Sequence, residues 1–397
     1  MTSQPTATAT TPRATAITSR PLEPTRYTRY VNLDVLRALA LVGVFIVNIG
    51  FLTFTIDGPV STAVMNAENL LLHDKSRTLL SLLFGASAAL MWARGATRTL
   101  LWRRYAVLFA VFGVVNLLFF PADILTHYAL IGALFVIALP WLMSGSRARP
   151  LCVAAGFAGL EILTRTIAPP VLEFGGALLT DSSSLWTARA VIAANQLWTG
   201  LVLQGPWTAA AFAVGIWLTR RLIHTGSAAP GSTSQRRSLL LAAGGIAVAA
   251  LGHIAQSRLT FTGNEAAAGM PPLSTAAWLA AGFGGALAYV GLISLLIERN
   301  GTAARLLTQL APLGRLTLTA YLTSTFVFVL ILYTGPADGL PLAGGLALMT
   351  ALWIAFAVLA PIWFRSHRYG PAEWLWRTLS AGRNPDDSHR SGRSVAE

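Results

Sequence analysis

The arginines of this chain alternate between sides. About ten long apolar runs follow one another, and the gaps between them are alternately Arg-rich and Arg-poor. A water-soluble protein has no cause to keep that rhythm. A multi-pass membrane protein does, because short basic loops stay on the cytoplasmic side. The composition agrees: 54% of the 397 residues are hydrophobic, only 11% are charged, and the mean hydropathy is +0.59. Soluble domains carry about 25% charged residues. The chain therefore reads as an all-α, polytopic transmembrane helix bundle.

The expected spans are 33–55, 77–93, 104–120, 124–144, 151–168, 203–219, 238–256, 275–297, 316–334 and 341–364, each near the ~20 residues needed to cross the hydrocarbon. Residues 185–200 are apolar but interrupted, and fit an interfacial or re-entrant helix; as a full span they would invert the basic pattern that follows. With them outside the count, 23 of the 29 basic residues fall on one side. Ten spans with both termini cytoplasmic follow from that. Lys75, Arg77, Arg189 and Arg258 fall in outer gaps, and Arg37 and Arg165 lie within spans. Residues 1–29 and 381–397 read as disordered cytoplasmic tails flanking a bundle over 30–380. The first apolar run is too long for a cleaved signal peptide and reads as an uncleaved first span.

The net charge of +13 does not indicate a nucleic-acid partner, because the arginines are spread over many loops rather than gathered on one face. It fits topology and attraction to anionic headgroups. The single cysteine, Cys152, excludes an intrachain disulfide. The histidines show no paired metal spacing. The glycines Gly282, Gly284 and Gly285 do not complete a dinucleotide loop and fit close helix packing.

Ionisable groups within spans are costly, at roughly 2.5–3.5 kcal/mol each at the centre, so each calls for a reason. In the first span Asp34, Arg37 and Asn48 share one helical face, within about 40° of one another. They form either a polar track or a packing ion pair with an interhelical hydrogen bond. Glu161 and Arg165 are spaced i, i+4 in the favourable order, with Glu161 near mid-membrane. On the outer side, His73, Asp74, Lys75 and Arg77 precede the second span, and Asp123, His127 and Tyr128 open the fourth. A histidine in a water-lined cavity there can serve as a general base. Solvated loop residues are the plainer alternative.

Several motifs resemble those of the YeiB-like bacterial membrane proteins. They are Leu33–Arg37 with Val47-Asn48-Ile49, Lys75–Gly85, Asp123–Gly132, Gly215–Arg221, Pro312–Leu322 and Gly370–Arg377. The last two resemble that family's C-terminal domain of unknown function, over about 215–380. The likeness covers roughly 30–380. That family is itself distantly similar to transmembrane acyltransferases of the heparan-α-glucosaminide N-acetyltransferase type. In those, an acetyl group from cytoplasmic acetyl-CoA reaches an acceptor on the far side.

The resemblance implies an acyltransferase. Arg37, Arg104 and Arg315 would receive acyl-CoA, and His73, or after it His127, would act as base. Asp34 and Asn48 belong to the family's first-helix motif, and Asn48 or Tyr128 would orient a carbonyl. Lys75, Asp123, Glu161 and Arg165 are further candidates for substrate binding or for structural polar contacts. The acyltransferases place a reactive His shortly after the matching Asn, yet none occurs here between Asn48 and His73, and Asn116 stands where YeiB-like proteins usually have a His. The acceptor would be a small molecule, sugar or lipid. An exporter of a small polar or amphipathic molecule, gated by Glu161–Arg165 and Asp34–Arg37, is the competing reading, and a non-catalytic membrane protein is the third.

Overall fold

Prolines mark where several helices begin, since a proline in the first turn gives up only an amide that has no helical partner there. A computed structural model of the chain describes residues 31–51, 58–120, 123–167, 185–224, 232–259, 270–335 and 340–382. The expected tails, 381 and 382 apart, lie outside the described residues. The helices are α1 (Val31–Val47), α2 (Gly58–Leu71), α3 (Lys75–Ala93), α4 (Arg98–Val107), α5 (Val114–Phe119), α6 (Leu125–Met143), α7 (Arg149–Thr166) and α8 (Leu185–Leu203). They continue with α9 (Gly205–His224), α10 (Ser232–Arg258), α11 (Pro272–Glu298), α12 (Thr302–Thr308), α13 (Ala311–Arg315), α14 (Thr317–Thr334), α15 (Leu342–Ser366) and α16 (Pro371–Ala381). Proline opens α7, α11, α13 and α16. Gly382, with φ 68°, closes α16 in the left-handed conformation that glycine adopts without strain.

The protein is a multi-pass helical membrane protein. Among the described residues, seven helices are long and apolar enough to cross a membrane. Two bent pairs, Arg189–Leu203 with Gly205–Arg221 and Thr302–Arg315 with Thr317–Ile331, turn by 55° and 72° and raise the number to as many as nine. α7 stands outside that number because Arg149, Glu161 and Arg165 interrupt its apolar run.

Small residues set the closest helix crossings. α10 and α11 meet through Gly245, Gly252, Gly284 and Gly291. A Cβ on any of the four would lie 2.3–2.5 Å from a backbone nitrogen of the other helix. α3 and α9 cross at Gly85 and Gly215, where a Cβ would lie 2.2 Å from the Phe212 carbonyl and 2.0 Å from the Leu82 carbonyl. Between lipid-facing helices, such approach replaces the hydrophobic driving force that water would supply.

Some features differ from the sequence reading. α4 and α5 form one run only through a π-helical segment, Leu108–Gly113. A π turn inserts an extra residue and so rotates the helix beyond it, and here that end carries Asn116. α2 and the amphipathic α16 were not among the expected spans. The expected span 203–219 is the second limb of a helix bent after Leu203.

α8 does not cross. The Arg189 guanidinium, near its start, donates to the Leu118 carbonyl at the end of α5 and lies over Tyr333 at the end of α14. The Leu203 carbonyl, its last, accepts from Arg165 at the end of α7. All three are helix ends on the same side of the bundle, the side on which the arginine pattern is sparse. α8 thus begins and ends among helix ends of one side, an arrangement that both the interfacial and the re-entrant readings require.

Candidate functional site

At that outer end, α3 begins with Asp74 in the left-handed region, φ 59°. Its carboxylate accepts from Arg77 Nη2 at 2.8 Å and from Trp278 Nε1 at 2.6 Å. Arg77 also donates to Gln204 Oε1, in the α8–α9 bend, at 3.0 Å. Its guanidinium lies 5.0 Å above the Trp207 ring. Trp207 is fully buried, donates its indole N–H to Thr78 Oγ1 at 2.8 Å, and packs on Trp278 with ring centres 4.5 Å apart. Gly282 makes room for it, since a Cβ there would fall 2.4 Å from the indole.

Glu161 joins this cluster rather than standing alone. Its Oε1 accepts from Arg165 Nε at 3.0 Å and its Oε2 from the Trp207 backbone N–H at 3.1 Å. The carboxylate sits at the positive N-terminal end of α9, where an anion is favoured. Along α7, Glu161 lies about 7.5 Å, five residues, from the C-terminal end. Arg165 donates to Leu203 and stacks over Trp278 at 4.6 Å.

A second network surrounds the start of α6. Asp123 accepts from Asn116 Nδ2 at 2.5 Å and from the backbone N–H groups of Leu125 and Thr126 at 3.2 and 2.9 Å. The Thr126 hydroxyl donates to it as well. It is thus the buried cap of α6. Tyr321 OH accepts from Asn116 and from the Ile124 N–H, both at 3.4 Å. Tyr128 donates to the Arg77 carbonyl at 3.1 Å and accepts from Ser81. His127 Nδ1 meets the Asp123 carbonyl at 3.0 Å. Its Nε2 is buried without a hydrogen-bond partner among the described residues, pressed against Gly200 of α8, where a Cβ would fall 1.9 Å away. α8 thus covers His127.

His73 is placed differently. Its side chain is 48% exposed, with Nδ1 3.4 Å from Glu68 Oε1 and Nε2 3.8 Å from Asp74 Oδ2. It stands at the mouth of a cavity of about 200 Å³ that Lys75, His253, Gln256 and Trp278 also line. The structure therefore brings His73, Asp74, Lys75 and Arg77 to one side with Glu161 and Arg165. It places Asp123, His127 and Tyr128 next to them through Arg77.

Asp34 and Asn48 do not join this group. Asp34 begins α1 at the inner end, paired with Arg37 at 3.1 Å, and Arg37 also donates to Ser87 of α3 at 2.5 Å. Asn48 opens a 3-10 turn at the other end of α1, and that turn packs against α15. Asp34 and Asn48 are about 21 Å apart along the axis.

At the inner end, Arg104 lies 4.9 Å from the Trp376 ring, and Trp376 Nε1 donates to the Arg104 carbonyl at 2.7 Å. Arg315 donates to the Arg368 carbonyl at 2.8 Å and lies over Phe364. Glu373 of α16 accepts from the N–H groups of Leu318 and Thr319 at 2.7 and 3.2 Å, and from the Thr319 hydroxyl at 2.6 Å. It caps α14 from the other end of the domain. Burial lifts its carboxyl above the ordinary value, against the opposing pull of those hydrogen bonds.

Sequence reasoning passed over Trp207, Trp278, Gln204, Glu68 and Gln256. The Gly205-Pro206 helix start ahead of Trp207 was the available signal.

Residues 222–383 match the family model described as "Protein of unknown function (DUF418)". Over 372 residues the chain is 27% identical to an "Uncharacterized 39.9 kDa protein in amylase 3'region" of Bacillus acidopullulyticus, covering 89% of this chain and 94% of that protein. Over 80 residues it is 36% identical to "Uncharacterized protein YeiB" of Escherichia coli (strain K12), 19% of this chain and 20% of that one. No solved structure matches.

Proposed function

We propose that this chain is a member of the YeiB-like family of membrane proteins, whose likeness is supported by the domain of unknown function matched at residues 222–383 and by the similarity to YeiB, and that it is a membrane acyltransferase. It would cross the cytoplasmic membrane of a bacterium ten times with both termini inside. His73 carries the reading. It is a half-exposed imidazole between two carboxylates, 3.4 Å from Glu68 and 3.8 Å from Asp74, at the mouth of the outer cavity. Flanking carboxylates stabilise the imidazolium that forms when a general base takes a proton.

In this reading an acceptor O–H or N–H gives its proton to His73. Its oxygen or nitrogen bonds to the thioester carbonyl carbon, the C–S bond breaks, and CoA leaves as a thiolate that takes up a proton. Arg37, Arg104 and Arg315 would meet the anionic donor on the inner side. The exporter reading draws less support, because Glu161 and Arg165, its gating pair, are tied to the backbone of α8 and α9.

The test is thermal stability of the purified protein against acetyl-CoA and longer acyl-CoAs, followed by transfer of a labelled acyl group to a membrane extract. A donor at ~100 times its Kd raises stability by about 2.7 kcal/mol. That shift is expected to shrink in Arg315→Ala, and His73→Ala is expected to bind donor without transferring the label. No shift with any thioester, or full transfer by His73→Ala, overturns the proposal.

A further inference from the structure

Lys75 is only 4% exposed, yet its ammonium makes one hydrogen bond, to the Asn69 carbonyl at 2.7 Å, and no ion pair among the described residues. That is an unusual state for a cation. Burying an ammonium costs several kcal/mol unless a counter-charge and hydrogen bonds replace its water. Of the nearby carboxylates, Asp74 lines the cavity and holds Arg77 and Trp278, while Glu68 lies outside the lining, 3.4 Å from His73, with its Oε1 buried and making no hydrogen bond among the described residues. Lys75 keeps this position by design of its neighbours. Its stem packs over Gly285, where a Cβ would fall 2.4 Å from Lys75 Cγ.

Lys75 lines the outer cavity, and so does His253 of α10. His253 Nε2 is likewise buried with no hydrogen-bond partner among the described residues. Two independent groups, on α3 and α10, thus bring unused hydrogen-bonding capacity into one space of about 200 Å³. Asn69 and Gln256 add amides to its wall. Within the lining the surplus is in donors, because its carboxylate, Asp74, is already engaged.

We infer that this cavity binds a small oxyanionic group, a carboxylate or phosphate, between the Lys75 ammonium and the His253 imidazole. Charge-assisted hydrogen bonds to both would supply the counter-charge that Lys75 lacks. The cavity's size admits one such group rather than a whole nucleotide. Joined to the acyltransferase reading, and resting on it, the acceptor is an acid or a phosphate ester whose anion sits here while His73, at the mouth, deprotonates its nucleophile. The anion belongs either to a dissolved solute or to a lipid headgroup.

The experiment is a stability titration of the full chain in nanodiscs with inorganic phosphate and with acetate, using chloride at equal ionic strength as reference. Discs of neutral lipid and discs containing phosphatidylglycerol are compared. Phosphate or acetate is expected to raise the melting temperature saturably in neutral discs. The apparent affinity is expected to weaken by roughly tenfold or more in Lys75→Met and in His253→Phe, as loss of a charge-assisted bond implies. His253→Phe leaves the lysine in place, so the test survives if Lys75→Met fails to fold. Equal response in both discs assigns the site to a solute. Response lost only in phosphatidylglycerol discs assigns it to a headgroup that already fills it. No saturable response in neutral discs, or an unchanged response in a folded variant, overturns the inference. Thioester binding without anion binding overturns this inference alone; anion binding without thioester binding overturns the acyltransferase reading and leaves the anion site standing.

Discussion

Asp74 and Trp278, 204 residues apart in the chain, share a 2.6 Å hydrogen bond that ties the start of α3 to the domain of unknown function. The same carboxylate holds Arg77, which in turn donates to Gln204 in the α8–α9 bend, so the Asp74–Arg77 pair joins the start of α3 to that bend and to α11. Removing the carboxylate leaves Arg77 partly buried without its counter-charge. Asp74→Ala is expected to cost about 3 kcal/mol, the scale for breaking a buried pair. Asp74→Asn should cost less, because Asn tolerates the positive φ and keeps one acceptor. Chemical unfolding in mild detergent reads the difference; equal losses would refute the charge argument.

Glu161 and Arg165 form the costlier pair. Glu161 is fully buried and has both oxygens engaged. Glu161→Ala strands Arg165 and frees the Trp207 N–H, so about 3–5 kcal/mol should be lost. Glu161→Gln retains an acceptor for Trp207 and should be milder. An exporter coupled through this pair would instead lose flux in Glu161→Gln at unchanged stability, and transport by vesicles separates the two.

Gly200 sets the approach of α8 to His127. Gly200→Val is expected to lift α8 by overpacking, at a cost of about 1–3 kcal/mol, and to open His127 to water. Modification of the imidazole by diethyl pyrocarbonate, followed by mass spectrometry, should rise at His127 in the variant and stay low in the parent.

Glu373 makes the α16–α14 contact sensitive to pH. Its folded-state pKa is raised, so its contribution to stability is fully present below the ordinary value of 4.5 and is lost as pH rises through the folded value. Glu373→Gln should flatten that part of the stability–pH curve while largely keeping the cap. Glu373→Ala should lose about 1–3 kcal/mol at every pH, because two amides of α14 then lack an acceptor.

The helical bundle was legible because lipid imposes one rule on every span, an apolar run bounded by charge or proline. Asp34–Arg37 and Glu161–Arg165 were legible for a similar reason: i, i+3 and i, i+4 spacings are local. What the residues could not reveal was partnership across the chain. The second partner of Glu161 is the amide of Trp207, 46 residues on. For Lys75 the readings of a site residue and of a solvated loop residue stood side by side, because it packs on Gly285, far along the chain. Asn116 reaches Asp123 beyond a π turn, which no apolar period announces. His253 had no metal-type spacing to single it out, and its place beside Lys75 comes only from the cavity that the two line.

The position of α8 has a consequence for biogenesis. With both ends on one side, this 19-residue apolar helix would have to be left unthreaded by the insertion machinery, and its single charge, Arg189, raises the cost of threading by roughly 2.5–3.5 kcal/mol when central. Everything after it, the whole domain of unknown function included, would take its orientation from that refusal. Arg189→Leu removes the deterrent along with the hold on α5 and α14. With cysteines at positions 204 and 340 in a Cys152→Ser background, a membrane-impermeant thiol reagent is expected to reach both sites from outside. In Arg189→Leu, a population with position 340 protected would be molecules whose second half had been laid into the membrane upside down.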